Sequence, residues 1–118
     1  MTEPKYLFME SDIHLWLADI KSSISEIYGF LPEEKTFLVF QKDLKTRKAV
    51  ERNLEIIGEA LNRVLGVNPA INITNARRIV NTRNRIIHGY DTVSEDIIWA
   101  IVIKELPKLE KEIDRLLL

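Results

Sequence analysis

Residues 44–65 read Leu-Lys-Thr-Arg-Lys-Ala-Val-Glu-Arg-Asn-Leu-Glu-Ile-Ile-Gly-Glu-Ala-Leu-Asn-Arg-Val-Leu. Apolar residues recur here at steps of three and four, which predicts one long α-helix with a single buried face. Glu59 and Arg63 are spaced to form an ion pair on its exposed side. Gly58 costs a helix about 1 kcal/mol relative to alanine, so we expect another helix to cross closely there. The predicted buried face comprises Val50, Leu54, Ile57, Leu61, Val64 and Leu65.

The residues before this stretch predict one long helix and one short one. Ser11 and Asp12 can cap the first helix, and Gly29 is placed to end it. The segment Pro32 to Glu34 suits the first turn of a second helix, because proline fixes φ and acids favour the positive helix end. The expected apolar contacts are Ile13, Trp16, Leu17, Ile20, Ile24 and Ile27 in the first helix, and Phe37, Leu38 and Phe40 in the second.

The residues after it predict two more helices. Residues 66–69 hold the glycine and proline that stop a helix, and the next helix is expected to run from a cap at Thr74 to Gly89. Ser94 is expected to cap a final helix that Pro107 kinks or splits. The predicted inward positions are Ala76, Ile79, Val80, Ile86 and Ile87, followed by Ile97, Ile101, Leu106, Leu109, Ile113 and Leu116.

No segment alternates with period two, so the sequence predicts no sheet. Four long amphipathic helices joined by short connections make an all-α, up-and-down four-helix bundle, with room for a short extra helix. A chain of 118 residues with 46% hydrophobic content fits a single helical domain over residues 1–118. Residues 1–10 mix charged and apolar side chains without a period, so the sequence predicts neither a helix nor a strand for this arm.

The composition excludes several classes of function. The chain has no cysteine, which rules out disulfides and thiolate chemistry and fits a reducing cytoplasm. Its longest apolar run has seven residues, Ile97 to Ile103, against the roughly 20 that span a bilayer. With His14 and His88 as the only histidines and no carboxylate cluster of ligand spacing, we expect no metal and no other cofactor. The sequence predicts a soluble cytoplasmic protein.

The positive charge is concentrated in residues 71–90. This tract contains Arg77, Arg78, Arg83 and Arg85, which are four of the 17 basic residues, and no acid. Its net charge is therefore +4, and the net charge of the rest of the chain is −5. The whole chain has a net charge of −1, which is weak for an RNA-binding protein. An anionic partner is therefore expected to bind at this one place.

The centre of the tract is Arg83-Asn84-Arg85-Ile86-Ile87-His88-Gly89-Tyr90. Each member has a structural alternative: His88 can interact with a helix dipole, Arg83 can snorkel or pair with a buried carboxylate, and Tyr90 can be a turn aromatic. Together they suit phosphodiester chemistry, in which histidine moves protons and arginine clamps phosphate oxygens. Arg78, Asn81, Asn84 and Arg85 are candidates to support these groups or to bind RNA.

Two problems remain for a site within one chain. Metal-free RNA cleavage needs a base and an acid, and the tract offers one histidine. Arg83 and His88 also point about 140° apart on an undistorted helix. Both problems are eased if two copies pair about a two-fold axis.

The motif Arg83-Asn84-x-x-x-His88-x-Tyr90 resembles the Arg-x4-His-x-Tyr signature of HEPN-domain proteins, in particular HepT-like toxins encoded beside minimal nucleotidyltransferase antitoxins. The resemblance extends to residues 49–60, Asn68-Pro69 and the stretch Trp99 to Leu109. It implies an all-helical homodimer that acts as a metal-independent RNase. It also implies that Arg83 and His88 are catalytic, that Asn84 supports them, and that the antitoxin attaches AMP to Tyr90.

Two alternatives stay open from the sequence. The chain could be a non-catalytic dimer that binds a nucleotide or serves as the substrate-recognition subunit of a minimal nucleotidyltransferase. It could also be a structural bundle with a solvated basic face.

Overall fold

The computed structural model describes the backbone of residues 10–87 and 95–118 and the side chains of residues 12–84 and 95–118. This part of the chain is all-helical and contains no strand, which confirms the predicted fold class. The elements are α1 (Glu10–Phe30), α2 (Phe37–Lys42), α3 (Leu44–Val67), α4 (Ala76–Ile87), α5 (Glu95–Ala100), a π-turn (Ile101–Glu105) and α6 (Leu106–Leu116).

Helix α3 is the centre of the bundle, since it packs against α1 and also against α4. It begins where Asp43 caps it, with the carboxylate accepting hydrogen bonds from the backbone N–H and the hydroxyl of Thr46 at 3.0 and 2.6 Å. It continues one residue beyond Gly66, to Val67, before the break at Asn68. All six residues of its predicted apolar face are buried.

Helix α1 supplies a second layer of the core. Leu17, Ile20, Ile24 and Ile27 are fully buried, and Trp16 packs against them from the edge, as the sequence spacing predicts. Helix α1 also packs against α6, and an ion pair between Lys21 and Asp114 joins the two helices.

The short helix α2 differs from its prediction at its start. The predicted first turn at Pro32 to Glu34 is wrong: residues 31–36 are irregular, and Thr36 is the N-cap, with its hydroxyl accepting a hydrogen bond from the N–H of Val39. Of the expected anchors, Phe40 is buried and stacks at 5.0 Å against the Trp99 ring, but Leu38 is 62% exposed. A helix of six residues has a single turn and a half, so it buries one narrow face and leaves Leu38 outside.

The last helical stretch contains an extra residue in one turn. Leu106 donates its N–H to the carbonyl of Ile101, five residues earlier, just before Pro107. Proline has no N–H to give to the carbonyl four residues back, and its ring crowds that carbonyl, so the wider turn relieves both problems. Pro107 is predicted to kink or split this helix, and the structure has a π-turn between α5 and α6 with no break in the helical stretch.

One predicted inward position in the last helical stretch faces outward. The prediction that Ile97 points inward is wrong: Ile97 is 36% exposed and Ile98 is buried instead. Ile98, Ile101 and Val102 are buried at the helical spacing i, i+3, i+4, so Ile97 lies at the edge of this stripe, while Ile101 is buried as predicted. Beyond the turn, the predicted positions Leu106, Leu109 and Ile113 are buried.

Helix α4 begins at Ala76, and the expected cap at Thr74 is wrong. Thr74 bonds to another helix instead, its N–H and its hydroxyl both donating to the carboxylate of Glu112 in α6 at 3.0 and 2.9 Å. Asn75 precedes the helix with a φ of 60°, and its carbonyl accepts the N–H of Ile79. Asparagine tolerates this left-handed conformation better than most residues.

Within residues 10–87 and 95–118, no helix is long and apolar enough to cross a membrane. Two predicted helix boundaries, Gly89 and Ser94, lie outside the described residues.

Candidate active site

Helix α4 carries the described part of the basic tract and packs along α3. Ile79 and Val80 fix its orientation, because both are 2% exposed. On the same helix, Arg78 and Asn81 are exposed to solvent, whereas Arg83 and Asn84 are half-buried. The packing thus separates Arg83 and Asn84 from the solvated side of the tract.

Arg83 lies at the point where α4 crosses α3 over Gly58. A Cβ atom built on Gly58 would lie 2.2 Å from the Cβ of Arg83 and 2.7 Å from its Cγ, which no real structure tolerates. The prediction that another helix crosses closely at Gly58 is therefore confirmed. Glycine is needed here because the stem of Arg83 occupies the space that any other side chain would fill.

The guanidinium group of Arg83 is held from two sides. Its Nη2 donates to Oε2 of Glu59 at 3.0 Å, and its Nη1 donates to the side-chain oxygen of Asn84 at 2.5 Å. The side chain is 20% exposed, and its Nε is buried without a partner in the described part of the chain. Arg83 is thus a partly desolvated cation with a fixed orientation.

Glu59 makes contact with two arginines. Its other oxygen, Oε1, accepts from Arg63 at 3.3 Å, which confirms the ion pair predicted within α3. The hydrogen bond from Arg83 is the main cause that lowers the pKa of the Glu59 carboxyl group, and Arg63 contributes less. Because half of the Glu59 side chain is exposed, this pair is partly screened by water.

A second acid approaches the tract from the π-turn. Glu105, whose side chain is 12% exposed, lies 3.8 Å from Arg78 and accepts a hydrogen bond from Asn75 at 2.8 Å. The tract has no acid of its own, but the fold places one carboxylate beside Arg83 and another beside Arg78. The local positive charge is smaller than the sequence of the tract alone indicates.

The structure does not describe the side chains of several predicted site residues. His88 and Tyr90 lie outside the described residues, and of Arg85 only the helical backbone is described. No group of three side chains that could hold a metal ion occurs among the described residues.

Comparisons with known proteins identify the family of the chain. The model of the HepT-like ribonuclease family matches residues 20–116. The chain belongs to this family. A protein of Methanocaldococcus jannaschii named as a putative RNase is 35% identical over 112 residues, covering 92% of this chain and 89% of its own. A protein of Thermococcus cleftensis named as a probable ribonuclease HepT is 33% identical over 105 residues, with coverage of 86% and 92%.

A third relative, a protein of Caldanaerobacter subterraneus named as a putative RNase, is 36% identical over 83 residues, covering 70% of this chain and 74% of its own. No solved structure resembles the chain closely enough to count as a match. The match to the family model over residues 20–116 confirms the predicted family.

Sequence reasoning missed one contributor to the site of this HepT-like protein. Glu59 was assigned to its neighbour Arg63 within α3, and nothing in the spacing connects it to Arg83, which is 24 residues away. The available signal was the glycine directly before it. A glycine that admits a crossing helix also brings the next exposed residue, Glu59, within reach of that helix.

Proposed function

We propose that this HepT-like protein is the toxin of a toxin–antitoxin pair and acts as a metal-independent endoribonuclease. The observation that supports this most is the fixed guanidinium group of Arg83 at the crossing of α3 and α4. A partly desolvated arginine with an imposed orientation is the group that binds a phosphate oxygen pair and stabilises added charge on phosphorus.

The proposed reaction is transesterification through the ribose. The 2′ oxygen attacks the adjacent phosphorus, the bond from phosphorus to the 5′ oxygen breaks, and a cyclic phosphate forms. One group takes the proton from the 2′ hydroxyl, and another gives a proton to the departing 5′ oxygen. We assign the proton transfers to His88, whose unperturbed pKa lies near neutrality, and the phosphate to Arg83.

The site would be completed by a second copy of the chain. One histidine per tract is too few for a base and an acid, so we propose a homodimer in which two Arg83/His88 sets share one cleft. Asn84 would orient Arg83, to which it is hydrogen-bonded, while Arg78, Asn81 and Arg85 would contact the RNA strand on either side.

We propose that the antitoxin is a minimal nucleotidyltransferase and that it inactivates the toxin by attaching AMP to Tyr90. AMP attached to Tyr90 would bring a negative phosphodiester to the arginines that RNA needs, and its base and ribose would fill the cleft. Co-expression with the cognate nucleotidyltransferase should give protein heavier by one or more AMP groups at Tyr90. Tyr90→Phe should retain partial cleavage and escape this inactivation, and silencing of Tyr90→Phe would contradict the assignment.

The activity is tested with purified protein and RNA in the presence of a chelator. The parent should cut the RNA, and His88→Ala and Arg83→Ala should each abolish cutting. His14→Ala is the matched control, because His14 lies exposed on α1 and should be dispensable. Thermal melts of each variant separate loss of chemistry from loss of folding. Binding of RNA without cleavage would favour the non-catalytic recognition subunit.

A further inference from the structure

The carboxylate of Glu59 is an unexpected neighbour for an arginine that must bind phosphate. It accepts from Arg83 at 3.0 Å through one oxygen and from Arg63 at 3.3 Å through the other. An acid at this distance weakens the attraction between Arg83 and any anion. If Glu59 contributes to the reaction, it must do so in some way other than attracting the phosphate.

The hydrogen-bond inventory of Arg83 shows what the acid does. A guanidinium group has five N–H donors: one on Nε and two on each Nη. Glu59 uses one donor of Nη2 and Asn84 uses one of Nη1, so each Nη keeps a second donor. The Nε donor is buried and out of contact with solvent. The remaining Nη donors are therefore the ones that a phosphate can reach.

The stem of the same side chain is fixed independently. Its Cβ and Cγ atoms fill the gap over Gly58, so the stem cannot swing without separating α3 from α4. The guanidinium group could still rotate about its last bonds, and Glu59 and Asn84 oppose that rotation from opposite ends. A bidentate phosphate contact depends on the direction of this planar fork.

We propose that Glu59 is a positioning residue for the ribonuclease reaction, holding the Nη1–Nη2 edge of Arg83 towards the scissile phosphate. This inference rests on the proposed function. The fixed orientation benefits the transition state, where charge on phosphorus is greatest, whereas the negative charge of Glu59 opposes binding of the RNA ground state. The lowered pKa of Glu59 keeps it ionised at neutral pH.

The kinetic test compares two variants of Glu59. Glu59→Ala removes both the acceptor and the charge, so kcat should fall roughly 10- to 100-fold while KM for RNA stays constant or falls. Glu59→Gln keeps an amide oxygen that can accept from Arg83 but lacks the charge, so kcat should be partly rescued and KM should fall. A purely structural role would give no such split between kcat and KM.

Two matched controls lie on the same helix. Glu55→Gln changes an acid one turn earlier that pairs with Arg52, and Arg63→Ala removes the other partner of Glu59 without touching Arg83. Both should keep kcat within about twofold of the parent, because neither frees the guanidinium group. Thermal melts show whether each variant is folded at the assay temperature.

A second readout does not depend on activity. In NMR spectra of arginine side chains, the Nε–H of Arg83 should exchange slowly in the parent and faster in Glu59→Ala.

If the parent does not cut RNA, or if Arg83→Ala cuts it normally, the proposed function fails and this inference fails with it. If the parent cuts RNA and Arg83→Ala does not, but Glu59→Ala keeps or raises kcat, only the positioning role is overturned.

Discussion

The contact between Gly58 and Arg83 decides how closely α3 and α4 pack. In an ordinary helix, replacing glycine by alanine stabilises by up to about 1 kcal/mol. Here the added Cβ would lie 2.2 Å from the Cβ of Arg83, which cannot move away as the end of a flexible side chain could. Replacing Gly58 by alanine should therefore destabilise the protein instead of stabilising it.

We predict that Gly58→Ala lowers the free energy of unfolding by about 1–3 kcal/mol, the range typical of overpacking. Urea denaturation measures it. Gly66→Ala, in the same helix with nothing within 4 Å of the added Cβ, is the control and should be neutral or stabilising by up to about 1 kcal/mol. Equal stability of the two variants would mean that α4 does not cross α3 at Gly58.

The cap of α3 should make stability depend on pH. Hydrogen bonds from the hydroxyl and then the N–H of Thr46 lower the pKa of Asp43 below its usual 3.8. A carboxyl group with a lowered folded pKa stabilises the fold above its unfolded pKa, and this stabilisation is lost as pH falls through the folded value.

We therefore predict that Asp43→Ala lowers the melting temperature at pH 7, and that the difference from the parent shrinks below about pH 4. Asp43→Asn is the control, because asparagine caps a helix without titrating, and its melting temperature at pH 7 should stay near that of the parent. A difference between parent and Asp43→Ala that is constant down to pH 2 would contradict this role.

At the same scale, the sequence predicts some contacts and misses others for physical reasons. Arg83 lies three residues after Val80 and four before Ile87, so helical spacing puts it among apolar positions, which is abnormal for arginine. The close crossing at Gly58 is also readable from the sequence. The partner of Arg83 is not, because spacing along one helix reports neighbours on that helix, as with Glu59 and Arg63. Contacts between helices depend on their relative placement, which no local pattern specifies.

Among the helical elements, regular helices were predictable and irregular turns were not. The faces of α1 and α3 follow from the 3.6-residue period. Ile97 fails because the buried stripe runs through Ile98, Ile101 and Val102 and leaves it at the edge, and Pro107 indicates an irregular turn without specifying its form. Thr74 fails as a cap because α4 begins one residue later than expected: Asn75, with a φ of 60°, directly precedes the helix, and its carbonyl accepts the N–H of Ile79.

The link between Glu112 and Thr74 should control the start of α4. We predict that Glu112→Ala speeds amide hydrogen exchange at Thr74 by roughly tenfold or more, since its N–H loses its acceptor, with smaller increases in the first turn of α4. Asp114→Ala on the same helix is the control, because it breaks the ion pair with Lys21 of α1 instead. Equal exchange at Thr74 in both variants would show that Glu112 does not anchor α4.

The whole molecule is predicted to act as a dimer. The tract has one histidine, and the described geometry gives each chain one fixed arginine at the crossing. Light scattering at a protein concentration of about tens of micromolar should give twice the mass of the chain. At such concentrations an interface of standard size normally keeps two copies associated. A monomer under these conditions would remove the shared cleft and with it the two-group mechanism.

The chemistry itself is tested most directly by the products of RNA cleavage. In chelator, the parent should cut an RNA oligonucleotide at full rate and leave a 2′,3′-cyclic phosphate. The same oligonucleotide with a single 2′-deoxyribose at the cleaved position should stay intact there, because the attacking oxygen is missing. Cleavage that requires magnesium, or equal cleavage of the deoxy-substituted strand, would contradict catalysis by Arg83 and His88 through the ribose hydroxyl.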